Sequence, residues 1–252
     1  MARAGGVTRR ALALLALLAF LVPLSGRTDD ADPVRRLEER LRKAEESWGA
    51  IRGYSCTILM QETRKGKPRG LETVACRFRK PNSVYLEWLP PGPFAGLRVS
   101  FVQGRDAQGT FLGHEAGFAG LLGVKRYRFA GNFVQTFYPH YYAPEQTNVG
   151  FVIRETTERF RKAAALGKIL IVSDARAADP YLKREMDRVE AVLSSDPADG
   201  LGYRRVVYYF DLGTQLPLHM ELYDYQDRLQ GQYVFSEFTP GVEIPDGAFD
   251  LK

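Results

Sequence analysis

Few residues in this 252-residue chain have the types and spacing for concerted chemistry. The histidines are His114, His140 and His219, and the cysteines are Cys56 and Cys76. His114 is followed by Glu115, but no second histidine stands at helical spacing, so the zinc-protease pattern is absent. Nothing matches a Gly-x-Ser-x-Gly elbow, a phosphate-cradling glycine loop or a dinucleotide fingerprint. Asp224 and Asp227 form a carboxylate pair, but within a turn, where Asp is expected for its bonds to its own backbone. Cys56 lies in an apolar run without the electropositive setting of a reactive thiol. The residues point to a protein that is not an enzyme and has no metal and no cofactor.

The cysteines are informative in another way. Tyr54 to Glu62 and Leu71 to Arg79 both alternate as strands do, around a polar turn at Lys65-Gly66-Lys67. A hairpin centred on Gly66 pairs Tyr54 with Phe78, Cys56 with Cys76 and Ile58 with Val74 on one apolar face. Ser55 with Arg77, Thr57 with Ala75 and Leu59 with Thr73 fall on the more polar face. The sulfurs then sit opposite each other, either as a cross-strand disulfide or as two small buried thiols.

The elements around this hairpin follow from periodicity. Asp32 and Pro33 open a helix whose stripe is Val34, Leu37, Leu41, Ala44, Trp48 and Ile51. Ser83–Leu89, Leu97–Gln103 and Thr110–His114 read as strands, and Tyr127–Phe129 as a further short one. An aromatic, irregular stretch from Gly131 leads to a second helix from Asn148 to Ala165, whose mixed face carries Glu155 and Arg159 beside Phe151, Val152 and Phe160. Ile169–Val172 and Val189–Leu193 flank a charged segment. Tyr203–Asp211, Leu216–Tyr223 and Gln230–Phe238 close the chain as an antiparallel meander within residues 186–252. Two helices and nine or ten strands predict an α+β fold: one large, strongly curved antiparallel sheet with both helices over one face. Such a sheet has more apolar concave surface than two helices readily cover.

The N-terminus reads as an export signal. Arg3, Arg9 and Arg10 precede an Ala/Leu-rich run from Ala11 to Leu24, broken by Pro23 and shorter than a membrane span. Residues 1–26 are thus expected to be a cleaved signal peptide and 27–252 a single domain in the periplasm or cell envelope. Without the three arginines of the signal, 32 basic residues remain of the 35 against 30 acids, a net charge of +2 in place of +5. That balance excludes nucleic acid as the expected partner. No later segment is apolar enough to span a membrane.

Tyr54-Ser55-Cys56-Thr57-Ile58-Leu59-Met60-Gln61-Glu62 and Arg77-Phe78-Arg79-Lys80-Pro81-Asn82-Ser83-Val84-Tyr85-Leu86-Glu87-Trp88-Leu89 resemble a bacterial family catalogued as domain of unknown function 1571, over residues 50–165. The helix before the first hairpin, Lys80-Pro81-Asn82 at a strand corner and the ending Val242-Glu243-Ile244-Pro245-Asp246-Gly247-Ala248-Phe249 are more distantly similar to the periplasmic lipoprotein carriers. That resemblance implies an unclosed barrel with helices forming a lid over an acyl-binding cavity. It makes Lys80 the candidate lid contact, where the carriers place an arginine with forked contacts that lysine lacks. Strand alternation nominates Val84, Leu86, Trp88, Val99, Phe101, Val207, Tyr209 and Leu218 for the cavity wall. The leading expectation is a non-enzymatic envelope protein binding a lipid, an acyl chain or a lipidated protein. A protein-interaction or signal-sensing module of the same fold is the alternative, and a hydrolase with an unrecognised site the third.

Overall fold

The computed structural model describes residues 32–105, 109–127 and 140–251. The expected signal at 1–26, the far part of the strand at Tyr127–Phe129 and most of the aromatic stretch after Gly131 lie outside them. Helix α1 runs Pro33–Ala50. Asp32 caps it by accepting the Val34 N–H, and Pro33 fills a first-turn position whose N–H would be unpaired in any case.

Strands β1 (Gly53–Arg64), β2 (Lys67–Pro68), β3 (Glu72–Arg79), β4 (Ser83–Leu89), β5 (Arg98–Val102), β6 (Phe111–His114) and β7 (Lys125–Tyr127) follow. Helix α2 (Val149–Ala165) comes next, then β8 (Leu170–Ala178), β9 (Glu185–Val192), β10 (Arg205–Asp211), β11 (Pro217–Tyr223) and β12 (Leu229–Pro240). All pairings are antiparallel, in the order β7-β6-β5-β4-β3-β1-β12-β11-β10-β9-β8, with β2 paired to β1 alone. The first strand and the last are neighbours, which joins the two halves of the chain. Among the described residues the edges β7 and β8 do not pair, so the curved sheet stays an unclosed barrel.

The β1–β3 register is the one centred on Gly66: Tyr54 faces Phe78, Cys56 faces Cys76 and Ile58 faces Val74. Gly66 has a φ of +73°, which a turn residue with a side chain adopts only at a cost. The apolar face so defined packs against Leu37, Leu41 and Ala44 of α1 and Val149, Val152, Ile153, Phe160 and Ala163 of α2 in one core. The opposite face around Tyr85 is covered by the C-terminal segment through Ile244 and Phe249.

The charged segment between the two short strands expected near 169 and 193 is itself β-structure, the long hairpin β8–β9. Between Ser173 and Arg188 its alternation is hidden because charged residues and alanines fall on both faces, with Met186 the large apolar side chain buried there. Asp174 is bound by Arg36 (2.9 Å) and Arg40 (2.8 Å) of α1, and Arg40 also reaches Asp187 at 3.4 Å. Ion pairs with a helix there take the place of some of the apolar contacts that periodicity detects. Among the described residues no helix is long and apolar enough to cross a membrane.

Candidate functional site

The chain enters α2 through Asn148, whose side chain accepts the Phe151 N–H at 2.8 Å. This cap sets the rotation of the helix, so Val152 and Thr156 face the sheet and Glu155 and Arg159 lie along the margin of the same stripe. Opposite them are Ile58 of β1, Met220 and Leu222 of β11, and Tyr233 and Phe235 of β12. The cleft between these walls has an internal volume of about 20 Å³. That is room for a water molecule and not for a chain of methylenes.

The cleft widens outward past Tyr142, Glu155 and Arg159 into an open mouth of about 480 Å³, whose far side is Tyr203, Asp224 and Gln230. Arg159 stands at the junction. Its side chain is 10% exposed, that of Glu155 38%. The guanidinium donates to the Leu201 carbonyl (3.1 Å), the Tyr208 hydroxyl (3.2 Å) and Glu155 (3.4 Å), and lies 5.0 Å over the Tyr203 ring. The hydroxyls of Tyr142 and Tyr203 are 3.4 Å apart. Burial pushes the Tyr142 phenol far above its ordinary range, so it remains a neutral donor.

Two buried polar clusters flank this region. In the first, His140 lies between Glu62 (3.4 Å) and Glu72 (3.5 Å) and stacks on Trp88 at 5.1 Å. Glu62 also accepts from the Tyr233 hydroxyl (2.6 Å) and the Tyr141 N–H, while Glu72 accepts from Trp88 (2.8 Å) and Arg69. Burial draws the Glu62 carboxyl upward, yet His140, Tyr233 and Tyr141 together hold it below the usual carboxylate value. In the second, on the other face of the sheet, His219 contacts Asp179 at 2.6 Å and Gln232 at 3.0 Å. Asp179 also accepts the N–H groups of Tyr181 and Leu182. This network pins the β8–β9 connection onto β11 and β12.

The nominated cavity residues divide. Val84, Leu86 and Trp88 of β4, with Val99 and Phe101 of β5, share the face of Cys76 and Phe78 and are buried in the helix-covered core. They line a filled core, not the cleft. Val207 and Tyr209 are on the opposite face. Tyr208 lines the cleft, so period-2 alternation turns its two neighbours away, and Tyr209 stacks on His219 at 4.7 Å. Leu218 is buried, beside the irregularity where Phe210 pairs with Pro217.

Lys80 donates to the carbonyls of Trp48 (2.6 Å) and Gly49 (2.9 Å), the last turn of α1. Cys56 and Cys76 are buried free thiols, and burial, with Cys76 opposite, pushes the Cys56 thiol up. The sequence placed Glu155 and Arg159 on the mixed face of the second helix without nominating Arg159 for the site; the signal was an i,i+4 pair bordering an otherwise apolar stripe.

No curated protein matches the chain in sequence. Among solved structures it is similar to the lipoprotein LppX of Mycobacterium tuberculosis, at 10% identity and a TM-score of 0.46, over 85% of this chain and 100% of that one. The complex of MucA and MucB from Pseudomonas aeruginosa gives 15% identity and a TM-score of 0.44, over 86% and 61%. A LolA superfamily protein from Nitrosomonas europaea gives 11% and 0.35, over 84% and 96%. The sequence model of the family described as "protein of unknown function (DUF1571)" matches residues 51–252, beyond the stretch in which the likeness was first legible, and the chain belongs to that family.

Proposed function

We propose that this protein is a non-enzymatic binding protein of the cell envelope that takes a lipid, an acyl chain or a lipidated protein between α2 and the concave sheet. The observation that carries the reading is the two-part cleft: an apolar inner wall from β1, β11 and β12, continuous past Arg159 with a wide polar mouth. An amphiphile has the same two parts. The inner part is closed in this state, so entry requires α2 to lift from the sheet, with the Lys80-held end of α1 staying in place. Export through residues 1–26 and oxidation of Cys56 with Cys76 belong to the same proposal. The test is native mass spectrometry and lipid extraction of protein purified from the envelope, together with titration of a fluorescent acyl probe. Recovery of bound lipid supports the reading; an empty protein that also fails to bind the probe refutes it.

A second reading, a protein-interaction module of the same fold, is favoured by the closed inner cleft and by edge strand β8, where Leu170 and Val172 are 63% and 54% exposed. Co-purification of one stoichiometric partner with no bound lipid supports it over the first.

A further inference from the structure

Arg159 carries an electrostatic imbalance. Its side chain is nine-tenths buried, beside the apolar wall of the cleft, and its one carboxylate neighbour among the described residues is Glu155. Glu155 meets it at 3.4 Å, long for a charge-assisted hydrogen bond, and is itself more than a third open to solvent. A buried cation with so partial a counter-charge is costly unless something completes it.

The hydrogen bonds point the same way. A guanidinium has five N–H groups. The Leu201 carbonyl, Tyr208 hydroxyl and Glu155 carboxylate engage one N–H on Nε, one on Nη1 and one on Nη2. Among the described residues one N–H on each terminal nitrogen is left for a further acceptor, and a carboxylate or phosphate can grip two such N–H groups with two oxygens. Arg159 lines both the inner cleft and the mouth, as do Tyr142 and Glu155. The Tyr142 and Tyr203 hydroxyls beside it add neutral donors at the same depth.

We propose that Arg159 is the head-group anchor of the cleft, and that the ligand is a single-chain amphiphile with an anionic oxygen head, a carboxylate or a phosphate, at Arg159 and its chain along the inner wall. The inference rests on the apolar-cleft reading and adds a ligand class to it. Glu155 then acts as a built-in competitor: it occupies the guanidinium in the empty protein and is displaced by the ligand head.

The test is calorimetric titration of the full chain with dodecanoate, monododecyl phosphate and dodecanol, all below their aggregation concentrations. Both anions are expected to bind at least about tenfold more tightly than the alcohol, the equivalent of one charge-assisted hydrogen bond. The order of the two anions identifies the head as carboxylate or phosphate. Arg159→Gln is expected to erase the preference while leaving dodecanol affinity unchanged. Glu155→Gln, at a half-exposed position, is expected to tighten the anions a few-fold and leave the alcohol alone, which keeps the test decisive if the arginine variant does not fold. Equal affinity for acid and alcohol, or a preference that survives Arg159→Gln, overturns the anchor while the cleft reading stands. Failure of all three compounds to bind overturns the cleft reading, and the anchor with it.

Discussion

Gly150→Ala opposes two effects whose sizes can be compared. Gly150 is the second residue of α2, and alanine in a helix is ordinarily favoured over glycine by up to about 1 kcal/mol. Here a Cβ would lie 2.5 Å from Cε2 and Cζ2 of Trp48 and 2.6 Å from its Nε1. Carbon atoms in contact prefer about 3.5–4.0 Å, so something must move by roughly 1 Å. The indole has little freedom to do so. Phe78 lies 5.2 Å from it between centroids, Tyr54 is 6.0 Å away edge-on, and the Lys80 ammonium stands 5.0 Å over the ring. The start of α2 is held as well, by the Asn148 cap and by the Val149 N–H donated to the Tyr54 hydroxyl at 3.2 Å. Overpacking of a filled site costs about 1–3 kcal/mol, so the net expectation is a loss of about 1–2 kcal/mol. Urea denaturation at neutral pH measures it as a lowered midpoint at unchanged slope. In a Trp48→Leu background the clash is gone, and the same substitution should be neutral or slightly stabilising. The two changes should therefore couple by about 1–3 kcal/mol. An alanine variant as stable as the parent, or additive behaviour in the double variant, would refute the claim that α2 seats on Trp48 through a bare backbone.

Glu62→Gln is expected to cost about 1–3 kcal/mol at neutral pH, because a neutral amide replaces the carboxylate that accepts the Tyr233 hydroxyl and the Tyr141 N–H in a buried site. The wild-type carboxyl lies below its ordinary 4.5, so its contribution is present above about pH 4.5 and fades as pH falls through the lower folded value. Stability measured from pH 3 to 7 should thus rise less steeply in the variant, and parallel curves would contradict the assignment. Lys80→Met removes the donor to two terminal carbonyls of α1 and should cost about 1 kcal/mol, with hydrogen exchange at the end of α1 rising first. Unchanged protection there would show that Lys80 holds nothing. Protein recovered from an oxidising compartment should have Cys56 and Cys76 joined, with a stabilisation of about 3 kcal/mol over the reduced chain. Two alkylatable thiols after denaturation without reductant would exclude the bond.

Local rules carried the fold far. One turn residue, Gly66, and period-2 alternation were enough for the complete β1–β3 register, because a slip of one residue would have placed Arg77 and Arg79 in the core. The helix starts at Asp32 and Asn148 were legible for the same kind of reason, since a cap is a contact between near neighbours. Strand faces further along were less so. On β10, Val206 to Phe210 are apolar without interruption and buried on both sides, so alternation has no phase to read and Val207 and Tyr209 were set on the wrong wall. The β8–β9 hairpin was masked by its ion pairs with α1, and the pairing of Glu62 and Glu72 with His140 joins positions far apart in sequence. Nothing at any one of those positions announces the others.

The same distinction bears on which part of the cleft decides function. Its apolar wall is generic: Ile58, Met220, Leu222 and Phe235 sit where a curved sheet under a helix must place apolar side chains, whether or not a ligand ever enters. A filled core and a collapsed binding cleft look alike at those residues. Arg159 differs, because stability alone does not favour it. A long apolar side chain there would pack against Tyr208 and the apolar wall without desolvating a charge. Glu155, one turn earlier and half exposed, compensates it only in part. A buried charge that packing alone does not call for therefore stands where the apolar and polar halves of the cleft meet, which is where the head of a single-chain amphiphile would lie. The preference between acid and alcohol is accordingly a sharper measure of this site than affinity for an acyl chain alone.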